Sequence, residues 1–223
     1  MRSVIFDLDC TLIDTAPDLI DTLNFILTRE GLRAIPFDRA RAAIGQGAKR
    51  LLEAGLAEQG ARLTPMQLDR LYVDYVAHYA EHIADRSRPF PGLDAALDRL
   101  RDDGYLLAVC TNKLEWLSVR LLDAVRLRHR FKVICGQDTF KIAKPNPEIL
   151  LRTISAAGGN PAEAVMVGDS ATDIATARAA GVPIVAVDFG YTDTPITALR
   201  PDRVISSYDQ LSPAVNALMR LQA

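Results

Sequence analysis

Six short runs of this chain are almost continuously apolar: "SVIF" at 3–6, "YLLAVC" at 105–110, "KVIC" at 132–135, "AVMVG" at 164–168, "PIVAV" at 183–187 and "RVIS" at 203–206. A strand with one wet face alternates apolar and polar residues, whereas a strand covered on both faces has no reason to. These runs therefore predict parallel strands sandwiched between helices. From residue 90 onward the helical patterns are present: "GLDAALDRLRDDG", "KLEWLSVRLLDAV", "PNPEILLRTISAAGG" and "SATDIATARAAG" separate the runs, several of them ending in the glycine that stops a helix. The expected fold class is α/β, a doubly wound, Rossmann-like and mostly parallel sheet.

One stretch breaks the rhythm. From Thr15 to about Asp85 the pattern is helical throughout, from "APDLIDTLNFILTREG" through "FDRARAAIGQGAKRLLEAGLAEQG" to "TPMQLDRLYVDYVAHYAEHIAD", with no strand candidate. The expected organisation is a discontinuous α/β core, residues 1–14 and 86–223, with a small all-helical domain, 15–85, inserted after the first strand. The chain returns through "DRSRPFPG".

Charge narrows the partners. Lys and Arg total 26 against 28 Asp and Glu, a formal net charge of -2, so no global basic field favours nucleic acid or an anionic membrane. The basic run "VRLRHRFK" is short and lies between a helix and a strand, as a solvated surface does. No apolar run approaches the roughly 20 residues needed to span a bilayer, and the N-terminus lacks a basic region followed by an apolar segment. Cys10, Cys110 and Cys135 are odd in number, widely spaced and without a CxxC pair, which reads as reduced thiols. A cytoplasmic protein acting on a small molecule, as a monomer or a homodimer, is expected. His78 and His82 have the i, i+4 spacing of a metal pair, but residue 79 is Tyr and no third ligand follows, so they read as helix-surface histidines.

Ligands of open α/β sheets gather beyond the carboxyl ends of the strands. After the first run stand Asp7, Asp9 and Thr11; after the second Thr111, Asn112 and Lys113; after the fourth Gly168, Asp169, Ser170 and Asp173. Lys144 lies in "KIAKPNP", ahead of a helix. Any one of these alone is more often a helix cap or turn residue. Together they offer oxygen ligands for a hard cation such as Mg²⁺, hydroxyl and amide donors for an oxyanion, and an ammonium. An anion that needs both a cation and a lysine suggests a phosphoryl group.

At this point "DLDCTL", "CTNK", the lysine of "AKPNPE" and "GDSATD" resemble the four motifs of haloacid-dehalogenase superfamily phosphohydrolases, and the helical insertion resembles that family's small cap. Within it, "IGQG", "KPNPEILL" and "FGYTD" look most like phosphoglycolate phosphatases. The resemblance implies a phosphoric monoester hydrolase with Asp7 as nucleophile, forming an aspartyl-phosphate, and Asp9 as acid and then base. It implies Mg²⁺ on the Asp7 carboxylate, the Asp9 carbonyl and Asp169, with Asp173 ligating or orienting from behind. Thr11, Thr111 and Asn112 would contact the substrate, and Lys144 would neutralise charge and keep Asp7 ionised. The substrate would be a small phosphate ester, 2-phosphoglycolate first, with another sugar phosphate, a pyrophosphate or a mutase reaction as alternatives.

Two local features stay open at the level of sequence. Cys10 stands where the family usually has Gly, so it is harmless, strains a tight loop, exposes an oxidisable thiol, or disables the site and leaves a phosphate-binding protein. In the insertion, Gly45 and Gly47 flank a turn that opens a helix; its N–H groups and Lys49 or Arg50 either meet the distal end of a substrate or form an ordinary turn facing solvent.

Overall fold

The computed structural model describes residues 1–40, 44, 47–192 and 194–222. In chain order its strands are β1 (Ser3–Phe6), β2 (Ile13–Asp14), β3 (Arg88–Pro89), β4 (Leu106–Cys110), β5 (Val133–Cys135), β6 (Ala164–Gly168), β7 (Ile184–Val187) and β8 (Arg203–Ile205). Its helices are α1 (Ala16–Arg29), α2 (Phe37–Ala40), α3 (Ala48–Glu58), α4 (Pro65–Glu81), α5 (Leu93–Asp102), α6 (Glu115–Ala124), α7 (Pro147–Ala157), α8 (Ala171–Ala180) and α9 (Leu211–Gln222). The six apolar runs all become strands of one sheet, ordered β5-β4-β1-β6-β7-β8, with every pairing parallel.

The unbroken apolar character has the expected cause, burial on both faces. Val4 and Phe6 of β1, Val165 and Val167 of β6, and Val185 and Val187 of β7 enter one core with α5 and α9. Their neighbours Ile5, Ala164, Met166, Ile184 and Ala186 enter a second core with α7 and α8. Helix α9 had not been expected from the pattern; Leu211, Val215 and Leu218, at helical spacing, place it in the first core.

The chain runs from β1 outward through β4 to β5 and then returns to β6 on the other side of β1. The sheet therefore switches direction between β1 and β6, where such sheets bind their ligands. Helices α1 to α4 stand between β2 and β3, and α1 packs on both α3 and α4. Within 37–60 the described residues place α2 over Phe37–Ala40 and α3 over Ala48–Glu58, with Ile44 and Gly47 outside helix.

The connection between helices and sheet is built by features too short to carry a period. β2 and β3 pair antiparallel, Ile13 with Pro89 and Asp14 with Arg88. Asp18, buried on α1, accepts from the N–H groups of Arg86 (3.0 Å) and Ser87 (2.8 Å) and from the Ser87 hydroxyl (2.5 Å). One carboxylate thus holds both backbone donors of the returning chain, which would otherwise be unpaired. No helix among the described residues is long and apolar enough to cross a membrane.

Candidate active site

Asp7 follows the last residue of β1, and its N–H donates to Val167 O of β6 at 2.9 Å, so the ladder continues one residue past the strand. Asp169 follows β6 directly. Asp173 sits in the first turn of α8, where Ser170 and Asp173 form a reciprocal cap: Asp173 N–H donates to Ser170 Oγ (3.2 Å), and Ser170 N–H donates to Asp173 Oδ2 (3.1 Å). Asp7, Asp169 and Asp173 are all buried and each offers an oxygen within 4.8 Å of the others.

A single ammonium faces these three carboxylates. Lys144 Nζ lies 2.8 Å from Asp7 Oδ1 and donates to Asp173 Oδ1 at 2.6 Å. Its backbone is fixed by Asn112, whose Oδ1 accepts from Lys144 N–H (2.8 Å) and whose Nδ2 donates to Lys144 O (3.2 Å). The peptide from Lys144 to Pro145 is cis. Burial pulls the lysine's proton affinity down, but Asp173 and Asp7 together raise it above that of an ordinary lysine. The Lys144–Asp7 pair is off the line of a hydrogen bond, which leaves the buried Asp7 Oδ1 without one.

If all three carboxylates ionised, they would outnumber the one ammonium. Burial, only partly offset by Lys144, pushes the Asp7 carboxyl up to about 7. Burial also pushes Asp169 well above the carboxylate range, with Asp173 and Asp7 adding to it. A second cation would relieve both effects, and an all-oxygen donor set with few protein groups suits Mg²⁺. The residues present fit that ion.

Asp9, two residues beyond Asp7, has a different partner. Lys113 Nζ donates to Asp9 Oδ1 at 2.8 Å and lies 4.4 Å above the ring of Tyr79 from α4. Thr111 Oγ accepts from Lys113 N–H at 3.2 Å. Asp7, Asp9, Thr111, Asn112 and Lys113 form the sheet-side wall of a cavity of about 40 Å³. Leu19, Ile44, Gly47, Leu51, Tyr72, Tyr75, Val76 and Tyr79 close it from the helical side. The helices thus sit down over the carboxyl ends of the strands.

Two of the residues expected to contact substrate are engaged elsewhere. Thr11 is fully buried and donates from its hydroxyl to Asp169 Oδ1 (2.8 Å), while its carbonyl accepts from Tyr208 (2.6 Å). It orients a carboxylate and does not line the cavity. Lys49 points away to Asp69 on α4, at 2.6 Å, because that exposed acid is its nearest counter-charge. Gly47 does line the cavity, at φ 93° ahead of α3; Gly45 lies outside the described residues. Asp173, whose oxygens hold Lys144 and Ser170, shows the contacts of an orienting group.

Cys10 adopts φ 61°, the left-handed backbone that Gly takes without strain. Its N–H donates to Ile13 O at 2.7 Å, closing the turn, and its side chain enters the first core at 1% exposure. Burial, with Asp169 and Asp9 nearby, pushes the thiol well above its ordinary pKa. The exposed, activated thiol weighed from sequence is excluded; the strained turn is what the structure has.

Several contributors escaped the sequence reading. Gly190 follows β7, and a Cβ there would sit 2.7 Å from Asp169 Cγ, so only Gly lets this loop reach the carboxylate. Lys113 stood among the polar residues after β4, but nothing local pairs it with Asp9, 104 residues away. Tyr79 shares an apolar helix face with Leu71 and Tyr75 and reads as core. The Ser170–Asp173 cap was legible as an S-x-x-D helix start.

The family model for haloacid dehalogenase-like hydrolases matches residues 4–187. A protein named phosphoglycolate phosphatase in Mesorhizobium japonicum is 47% identical over 209 residues, covering 94% of this chain and 92% of that one. Another of that name in Caulobacter vibrioides is 45% identical over 217 residues, covering 97% and 92%. Among solved structures, that of a predicted phosphoglycolate phosphatase from Haemophilus somnus superposes with a TM-score of 0.89 at 28% identity, covering 96% of this chain and 97% of the other.

Proposed function

The chain belongs to the haloacid dehalogenase-like hydrolase family and is a phosphoric monoester hydrolase; from that premise we propose that it is a cytoplasmic, Mg²⁺-dependent 2-phosphoglycolate phosphatase working through an aspartyl-phosphate on Asp7. The observation that carries the mechanism is the placement of Asp7, Asp169 and Asp173 around Lys144 at the carboxyl ends of the paired strands β1 and β6, with Asp7 and Asp9 opening into the cavity under the helices. The relatives' names support the substrate.

An Asp7 oxygen attacks phosphorus as the bond to the leaving alkoxide breaks, and Asp9 gives that alkoxide its proton. Asp9 then takes a proton from the water that attacks the phosphoryl group, and the bond from phosphorus to Asp7 breaks, restoring the carboxylate. Lys144 offsets the phosphate charge that would repel Asp7, and Asp173 and Asn112 hold Lys144 for that task. Thr111 and the backbone near Asn112 contact phosphoryl oxygens. Mg²⁺, when bound to the Asp7 carboxylate, the Asp9 carbonyl and Asp169, would neutralise phosphoryl charge. Residues 15–85 act as a cap domain on the core of 1–14 and 86–223, with the β2–β3 pair as its stalk.

The small cavity, about 40 Å³, favours a leaving group of few atoms. The test is phosphate release from a panel of phosphomonoesters with and without Mg²⁺, for the wild type and Asp7→Asn. Mg²⁺-dependent turnover led by 2-phosphoglycolate and lost in the variant is expected. Metal-independent turnover or an active variant would overturn the mechanism.

A further inference from the structure

A phosphoglycolate ester carries a second anion one carbon beyond the ester oxygen, and a site that selects it needs a cation at that place. Asp9 marks where the leaving oxygen is protonated, and the next group along is Lys113, 2.8 Å from Asp9. Its side chain is only 5% exposed, so it is a buried cation and no surface lysine. Among the described residues that line the cavity it is the only cationic one. Its contacts are one carboxylate and the face of Tyr79, which leave donor capacity on a three-donor ammonium.

Two further observations point the same way. Helix α3 starts at the cavity: its N-cap Gly47 has no side-chain cap and its first turn has no acid, so the positive end of the helix is uncompensated there. Gly47 abuts the backbone carbonyl of Asn112, next to Lys113 in the chain. On the helical side of the same cavity Tyr79 is buried at 1% exposure, and its hydroxyl has no hydrogen-bond partner. A buried ammonium with spare donors, an uncapped helix start and an unpaired hydroxyl in one cavity offer a carboxylate partners that an uncharged group would leave unmet.

We propose that Lys113, beside the first turn of α3, binds the carboxylate of the leaving group and so selects phosphate esters of short hydroxy acids over those of uncharged alcohols. The proposal rests on the phosphatase reading of the site and specifies its substrate class. It is tested by kcat and KM for 2-phosphoglycolate and for 2-hydroxyethyl phosphate, in which a hydroxymethyl group replaces the carboxylate.

The wild type should prefer the acid in kcat/KM by about 100-fold. Lys113→Met should bring that ratio to within about 5-fold of unity, chiefly through KM, and Lys113→Arg should restore part of it. Lys113→Gln, closer in polarity, serves the same comparison should the Met variant not fold. Equal losses on both substrates, with the preference retained, would overturn the proposal and leave Lys113 only to hold Asp9. A wild type with no preference for the acid would instead overturn the phosphoglycolate reading, whatever the variants do.

Discussion

Replacing Gly190 by Ala adds one methyl group at a loop far from Asp7 in sequence, yet it should reach the centre of the site. The backbone of Gly190 is outside the left-handed region, so Ala itself is unstrained and the effect is one of contact alone. The new Cβ would lie 2.7 Å from Asp169 Cγ, whereas ordinary contact begins near 3.4 Å. The carboxylate or the loop must retreat by roughly 0.7 Å or more. Asp169 Oδ1 is held by Thr11 at 2.8 Å, so the retreat lengthens that bond as well. Overpacking of this kind typically costs about 1–3 kcal/mol of stability. Misplacement of a reacting or metal-binding group by about 1 Å costs on the order of 100-fold in rate. Thermal melting together with kcat/KM across a Mg²⁺ titration should show a folded protein, a rate reduced about 100-fold and a higher half-saturating Mg²⁺ concentration. An unchanged rate and unchanged Mg²⁺ dependence would refute Asp169 as a metal ligand whose position Gly190 permits.

The metal-free protein should lose stability as pH rises from about 4 to about 7. The folded state, with Asp7 pushed up to about 7, retains a proton that the unfolded chain has released, so stability falls with pH across that window, by an amount on the order of a few kcal/mol. Urea melts in EDTA at pH 5 and pH 7.5 check the sign, and Mg²⁺ should recover most of the difference at the higher pH; a rise instead would contradict it. Lys144→Met leaves three buried carboxylates without their ammonium and should lower stability by about 3–5 kcal/mol in EDTA, with partial rescue by Mg²⁺. Cys10 should resist alkylation in the native protein at pH 8, and Cys10→Gly should change stability by about 1 kcal/mol or less. Relief of the left-handed strain and the lost burial of the side chain act in opposite directions there.

The sheet was legible because its strands are buried on both faces, which writes an unbroken apolar run into each, and the carboxyl ends of those strands pointed to Asp7, Asp169 and Thr111. What stayed hidden depends on contacts between distant segments. The β2–β3 pair has only two residues per strand, too few for a period, and Asp18 gripping Arg86 and Ser87 leaves no local sign. Thr11 looked like a ligand contact because of its spacing from Asp7, but its direction is set by Asp169, 158 residues away. Lys49 was plausible because it opens a helix near a glycine turn, and only the packing of α3 against α4 revealed Asp69 as its partner. Cys10 is the reverse case: the sequence departure marks a real left-handed turn, and the side chain finds room in the core.

The central claim is that Asp7 takes the phosphoryl group. Acid quenching during turnover of 2-phosphoglycolate, followed by mass mapping of the peptide that contains Asp7, measures this directly. The mechanism predicts one phosphoryl group on Asp7 in the wild type, accumulating further in Asp9→Asn, where loss of the base slows hydrolysis, and none in Asp7→Asn. A phosphoryl group on another residue, or turnover without any phosphorylated enzyme in either Asp7-containing protein, would contradict it.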